Sequence, residues 1–299
     1  MRRLLVPLAA FVLLAAGCAP ARTGTLGPAP VGASPTAGAT ATPRAPAPAT
    51  TTPSRRPPPA SPTTTVPVAP DESGEGGTIV VQLWFVRDGR LAPTRRTLPA
   101  TVATSRLALT ELAAGPSRAE AAAGLTTRVP TGVQVVRIAD GVATLAPPAG
   151  FADGGAAAVR LRRAQVVWTL TQFPTVRGVA FAGAAPVGRD DYADLLSAIV
   201  VTGPSVGDRV TSPVSVTGSA EVFEATVSVR VLDATAREVG TSFTTAACGS
   251  GCRGDYRATV RYRVAATGPG TIEVYEVSPR DGSRVNVVAV PVVLVAAGR

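Results

Sequence analysis

From residue 77 onward the apolar positions follow two rhythms, and the change between them divides the chain. Residues 78–86 (TIVVQLWFV) form an almost unbroken apolar run rich in β-branched side chains, which predicts a strand. Residues 104–114 read as a helix, with Thr104 or Ser105 as its cap, Leu109 and Leu112 on one side, and Gly115-Pro116 as its stop. Ser117-Arg118-Ala119-Glu120 has the form of a capping box and opens a short second helix ending at Gly124. Residues 132–138 and 142–146 predict two strands around the turn Asp140-Gly141. A longer helix over 156–172, ended by Pro174, and a last strand over 176–182 complete the order β-α-β-β-α-β, an α+β domain.

Beyond Gly188-Arg189-Asp190-Asp191 the period shortens to two. Seven short strands are predicted at 197–202, 213–218, 225–233, 237–244, 256–264, 271–277 and 285–295, which suggests an all-β sandwich. The alternation is clearest in 256–264: Tyr256, Ala258, Val260, Tyr262 and Val264 face one way, and Arg257, Thr259, Arg261 and Arg263 the other. Asp281-Gly282 marks a hairpin turn.

The first 76 residues have neither rhythm. Arg2 and Arg3, an apolar Leu4–Leu14, and the small residues Ala15-Ala16-Gly17 before Cys18 form the pattern of a bacterial secretory signal whose cleavage leaves a lipid-bearing cysteine. That apolar run is too short to span a bilayer, which takes about 20 residues. Half of the 28 prolines fall in the following stretch to residue 76, among Ala, Thr, Ser and Gly. Such a composition cannot bury enough apolar surface to fold and predicts a disordered tether, extended at about 3.1 Å per residue where polyproline-like. The expected organisation is a lipoprotein signal at 1–17, a tether at 18–76, the α+β domain at 77–188 and the sandwich at 195–299. The expected location is the extracytoplasmic face of the membrane.

Composition narrows the chemistry. The chain has no histidine, and all 29 of its basic residues are arginines. Ser-His-Asp and Cys-His catalysis are therefore excluded, as are zinc sites built from cysteine and histidine. No cofactor or metal is implied. After Cys18 two cysteines remain, Cys248 and Cys252 in Cys-Gly-Ser-Gly-Cys. In an exported protein such a pair reads as a structural disulfide; a redox-active pair would have two intervening residues beside a helix start. The formal net charge is +9. Outside the cytoplasm that charge meets anionic lipid and wall polymer, not nucleic acid.

Several segments resemble known domains. The pieces VVQLWFV with RLAPTRRTL after it, LTELAAGPS, VPTGVQVVRIADGVATL and RRAQVVWTLTQFPTVRGVAF resemble the GerMN domain, with Gln165 to Pro174 the most specific run. The pieces VTSPVSVTGSAEVFEATVSVRVLD and GTIEVYEVSPRDGS resemble Gmad2, an immunoglobulin-like domain of bacterial spore germination proteins. The resemblance implies that the sandwich is immunoglobulin-like and that neither domain is an enzyme. It also implies protein–protein contacts within the envelope.

Candidate sites are sparse. Arg160, Arg162 and Arg163 gather near the start of the long helix, the unfavourable end for cations, and could meet an anionic partner. Arg257, Arg261 and Arg263 form a second stripe, equally readable as the polar outer face of a strand. Glu221 and Glu224 flank Phe223; paired carboxylates can act on sugars, while a fixed fold position is the plainer role for Glu224. Asp190, Asp191 and Asp194 cluster at the domain junction without the spacing of a calcium loop. Arg253-Gly254-Asp255 matches an adhesion tripeptide of a kind that arises readily by chance. The expected function is a membrane-anchored, non-catalytic binding or scaffolding module of the envelope, related to sporulation and germination proteins. Its partner would be an envelope protein or a wall polymer; the alternatives are a polymer receptor and a carboxylate-based wall hydrolase.

Overall fold

The computed structural model describes residues 77–297, so the signal, Cys18 and the tether lie outside the described residues. The first half begins with a hairpin, β1 (Thr78–Arg87) and β2 (Arg90–Pro99). Its two-residue turn places both Asp88 (φ 51°) and Gly89 (φ 74°) in the left-handed region, the geometry that matches the twist of paired strands. β2 is a strand absent from the sequence-based order, because Pro93 and Pro99 argue against one. The register explains the tolerance: Pro93 lies opposite Trp84, whose own amide and carbonyl turn away from β2, so the ladder loses nothing at that position.

Two helices follow, α1 (Thr104–Ala114) and α2 (Arg118–Ala122). The cap of α1 is Ala103, without a side-chain bond; Ser105 is buried, and neither predicted cap residue serves as one. The capping box of α2 forms as predicted, with Ser117 and Glu120 bonding each other's amides. Then come β3 (Gln134–Ala139), β4 (Val142–Ala146), α3 (Gly155–Leu170) and β5 (Gly178–Phe181). β3 and β4 are antiparallel through Asp140 and Gly141, both at positive φ, and α3 carries the chain over to β5, parallel to β4. The core gathers Leu83 and Phe85 from β1, Leu91 from β2, Leu109 and Leu112 from α1, Leu145 from β4 and Leu170 from α3.

A 3-10 helix over Asp190–Leu195 leads into the second half: β6 (Ile199–Gly203), β7 (Arg209–Val210), β8 (Val214–Ala220), β9 (Thr226–Asp233), β10 (Glu238–Thr245), β11 (Gly254–Val260), β12 (Gly268–Val277) and β13 (Arg284–Leu294). They form two sheets, β10-β9-β12-β13-β7 and β11-β8-β6, whose inner faces bury Val216, Val229, Val231, Ile272 and Val274. The α+β domain and the immunoglobulin-like sandwich are thus both present. The two-residue β7, paired parallel to β13, adds an eighth strand to the seven expected. β11 ends at Val260, short of the predicted 264, although the burial alternation runs on through Tyr262.

β6 belongs to both halves. Ile199 and Val201 enter the sandwich core, while Val200 between them enters the core of the first domain. A period of two thus turns one strand into the seam between two cores. Hydrogen bonds from Arg95 N to Ser205 Oγ (3.0 Å) and from the Arg87 guanidinium to Ala289 O (3.2 Å) reinforce it.

Candidate functional site

The most specific run of the first domain has a structural task. In the two-stranded sheet, residues 82, 84 and 86 of β1 turn their backbone groups away from β2. A buried strand edge must find partners for those groups. α3 supplies them from one face. Gln172, just past the helix, accepts from Gln82 N (2.8 Å) and donates to Gln82 O (2.7 Å). Thr169 Oγ1 accepts from Trp84 N (3.1 Å), and Gln165 Nε2 donates to Trp84 O (2.9 Å). Val86 exchanges both bonds with Thr126 at 2.8 Å. Gln165 is fully buried, and its Oε1 also accepts from Arg128 N (2.9 Å). A helix with polar residues at i, i+4 and i+7 therefore stands where a third strand would.

A second buried polar group, Glu120, accepts from Arg96 (2.6 Å), Thr94 Oγ1 (2.9 Å) and Ser117 N (2.6 Å). Burial works to raise its pKa, but the Arg96, Ser117 and Thr94 bonds outweigh burial and hold the carboxyl below its ordinary value. It is an ionised structural anchor.

The arginines singled out in α3 lie beyond its first turn and are engaged internally. Arg160 pairs with Asp194 (2.7 Å) and lies over the Tyr192 ring; Arg162 donates to Arg128 O (2.7 Å) and to Phe151 O; Arg163 lies over Phe181. Arg257 donates to Ser215 Oγ (2.8 Å) on the outer face of β11. Arg261 and Arg263 are exposed beyond the strand end. The carboxylate clusters disperse too. Asp194 serves Arg160 and Asp191 accepts from Gly188 N (2.7 Å). No group of three or more possible metal ligands occurs among the described residues. Glu224 is exposed in a 3-10 turn just before β9, with φ 52°, and Glu221 is exposed before it. Arg253 cannot be displayed in the tripeptide: its guanidinium is turned inward to Ser197 O (2.6 Å) and Ser219 O (3.2 Å), and Gly254 is buried. Cys248 and Cys252 are joined, with their Cα atoms 5.7 Å apart.

What the structure does bring together is a cleft of about 800 Å³ where the first domain meets the outer face of the sheet β11-β8-β6. Gln82, Trp84, Trp168 and Arg189 form one wall; Thr217, Ser219, Arg253 and Arg257 are on the other. The indoles of Trp84 and Trp168 meet at 4.5 Å between centroids, tilted by 50°, and the Arg189 guanidinium lies 4.7 Å over Trp168. Burial lowers the pKa of Arg189 and, against a nearby Glu221, of Arg253. Neither forms an ion pair among the described residues.

Family comparison places these walls, apart from Arg189 between them, in two known domains. Residues 71–182 match the Germane family, described as sporulation and spore germination, and residues 198–283 match Gmad2, the immunoglobulin-like domain of bacterial spore germination. The chain carries a GerMN domain followed by a Gmad2 domain. Among solved structures it is similar to the tandem GerMN domains of the sporulation protein GerM from Bacillus subtilis, at 16% identity and a TM-score of 0.34, over 74% of this chain and 61% of that one. The chain thus spans about three fifths of that structure's length. The first GerMN domain of the same protein matches at 26% identity and a TM-score of 0.30, over 37% of this chain and 91% of that one. No curated protein matches the chain.

Most of the cleft was missed by sequence reasoning; Arg257 alone came from a predicted stripe. One signal was available. The chain has only two tryptophans, and both line this cleft from the GerMN side. Arg189 and Arg253 stood inside segments with plainer readings, Gly188-Arg189-Asp190-Asp191 as a domain boundary and Arg253-Gly254-Asp255 as a chance tripeptide.

Proposed function

We propose that this chain is a membrane-anchored extracytoplasmic lipoprotein whose GerMN and Gmad2 domains act as a non-catalytic binding and scaffolding module of the cell envelope, in the setting of sporulation or germination. The observation that carries the reading is the fate of the polar residues. Those that could do acid–base work are consumed by the fold, as Glu120 is, or stand apart and exposed, as Glu224 is. Arginine charge without an ion-pair partner among the described residues collects instead at an open cleft. Clefts lined by convergent polar groups suit binding, and a histidine-free chain has few routes to proton transfer near neutral pH.

The anchoring part of the proposal is tested by fractionating cells that express the full chain and a Cys18→Ser variant. The wild type is expected in the membrane and the variant in the soluble extracytoplasmic fraction; identical distributions overturn the anchor. The scaffold part is tested by cross-linking in cells, where failure to capture any envelope protein counts against it. A polymer-receptor reading is favoured by the arginines of the cleft, and co-sedimentation of the full chain with purified wall material tests it. The hydrolase alternative requires wall-degrading activity that Glu224→Gln abolishes while the fold is retained.

A further inference from the structure

We propose that the cleft between the GerMN wall and the outer face of β8 and β11 binds an anionic glycan-type chain, one whose repeating units carry an oxyanion and hydroxyls, with Arg189 and Arg257 as its anion contacts. The inference rests on the binding reading above and adds a place and a ligand chemistry to it.

Three independent features converge there. The first is charge: three arginines line the cleft against one carboxylate, that of Asp255, and while the Arg253 guanidinium is held by backbone carbonyls, Arg189 and Arg257 present theirs to the cleft. Arg189 is half-buried, with a single bond from its Nε to Thr171 Oγ1 (2.7 Å), so most of its donors are free. A guanidinium recognises carboxylate or phosphate through paired donors, and such charge-assisted bonds are the strong ones. The second is unpaired hydrogen-bonding capacity. Among the described residues, the buried side-chain polar atoms without a partner are Gln82 Nε2, Trp84 Nε1 and Trp168 Nε1. All three are donors, and all three residues line this one cleft. These atoms are closed off from solvent as they stand, so an acceptor-rich occupant would reach them by shifting their side chains, a shift favoured because each unpaired donor costs about 1–3 kcal/mol. The third is the opposite wall. Thr202, Thr217, Ser219 and Thr244 place hydroxyls there, each with one internal bond and remaining acceptor capacity for a polyhydroxylated chain.

The same geometry disfavours other occupants. The face of Trp168 is covered by Arg189, so no open aromatic platform remains for stacking a nucleobase. Trp84 is 4% exposed, which leaves no projecting apolar anchor of the kind that dominates protein–protein interfaces. The cleft is open along its side and of a size to seat several sugar-sized units.

Both tryptophans of the chain sit at the cleft, so intrinsic fluorescence reports on this site specifically. The experiment titrates the purified full chain with oligogalacturonate, with a glycerol phosphate oligomer and with neutral dextran of matched length. A saturable change with either anionic probe and none with dextran is expected. Response to the first alone assigns carboxylate as the recognised group, and response to the second alone assigns phosphate. Arg189→Gln is expected to raise Kd by about tenfold or more. Thr245→Asp, at an exposed position on the cleft rim, provides a second variant should Arg189→Gln fail to fold, and is expected to weaken binding at least threefold. Arg137→Gln, exposed on β3 away from the cleft, is expected to leave Kd within about twofold. No fluorescence response, equal loss in the Arg137 variant, or equally tight binding of a thymidine oligonucleotide overturns the proposal. None of these outcomes bears on whether the chain is membrane-anchored.

Discussion

The two domains solve one problem by different means. Each must satisfy the backbone of a sheet whose faces and edges are buried. The Gmad2 domain does it with strands: its two sheets pair through eight of them, and side chains simply alternate between core and surface. The GerMN domain leaves β1 with a single strand partner and completes the other edge with Gln165, Thr169 and Gln172. Accordingly Thr94, Ser105, Glu120, Gln165 and Thr169 are buried polar residues of the first domain, while Ser205 alone represents the second. A family signature rich in polar residues can thus be a folding device, and need not mark a catalytic one.

The comparison is tested most severely at Gln165. Gln165→Leu keeps the volume but strands the Trp84 carbonyl and the Arg128 amide in a buried site. Each unpaired group costs about 1–3 kcal/mol, so a loss of about 3–5 kcal/mol is expected in urea unfolding. A loss below about 1 kcal/mol would show that α3 holds β1 by apolar packing alone.

Glu120 comes next and adds a pH signature. Glu120→Gln removes the more buried of the two carboxylates that Arg96 faces, leaving Glu111 at 2.9 Å, and about 2–3 kcal/mol of destabilisation is expected at pH 7. The folded-state pKa is depressed, so the stability it contributes is fully present above the unfolded carboxylate value of about 4.3 and is lost as pH falls through the folded value. The wild type should therefore lose stability on acidification below about pH 5 more steeply than the variant, whose slope there is shallower. Parallel curves would mean that Glu120 is not an ionised anchor.

These residues also explain what the sequence allowed one to read. Alternation in β11, the turn at Asp140-Gly141 with both residues at positive φ, and the turn at Asp281-Gly282 with Gly282 at positive φ are local, and all were visible beforehand. The capping box at Ser117 was visible for the same reason, although Glu120 also serves Arg96 and Thr94, 24 and 26 residues away. The edge-closing role of Gln165 was not visible, because it depends on Trp84, 81 residues earlier. β2 was hidden by Pro93, whose tolerance depends on register. The cleft was hidden most deeply, since its walls come from segments that meet only when β6 joins the two cores. The arginine stripes of α3 misled for the opposite reason. Their spacing was real, but Asp194 and backbone carbonyls already hold two of the three side chains.

Gly218 probes the sandwich side of the comparison. It lies between Val201 of β6 and Tyr256 of β11, and a Cβ there would collide with the Val200 carbonyl oxygen and the Tyr256 phenol. Gly218→Ala is expected to cost about 1–3 kcal/mol by overpacking, read as a lower Tm without any new pH dependence. A neutral result would mean that the sheet slides easily at β6.

The smallest effect is expected where the Gmad2 domain does use a buried polar atom. Tyr256 donates its hydroxyl to Val200 O at 3.2 Å across Gly218, the one bond it makes to the strand shared by both cores. Burial raises its pKa, so the phenol remains a donor throughout the pH range in which the protein is handled. Tyr256→Phe keeps the ring in the core and gives up a single neutral hydrogen bond, worth about 0.5–1.5 kcal/mol. The lost stability should be the same at pH 5 and pH 8, because no charged state is involved. A loss as large as that of Gln165→Leu would erase the contrast between the domains. It would place the decisive polar contact of the whole head at the β6 seam, where one carbonyl would hold the sandwich to the GerMN core.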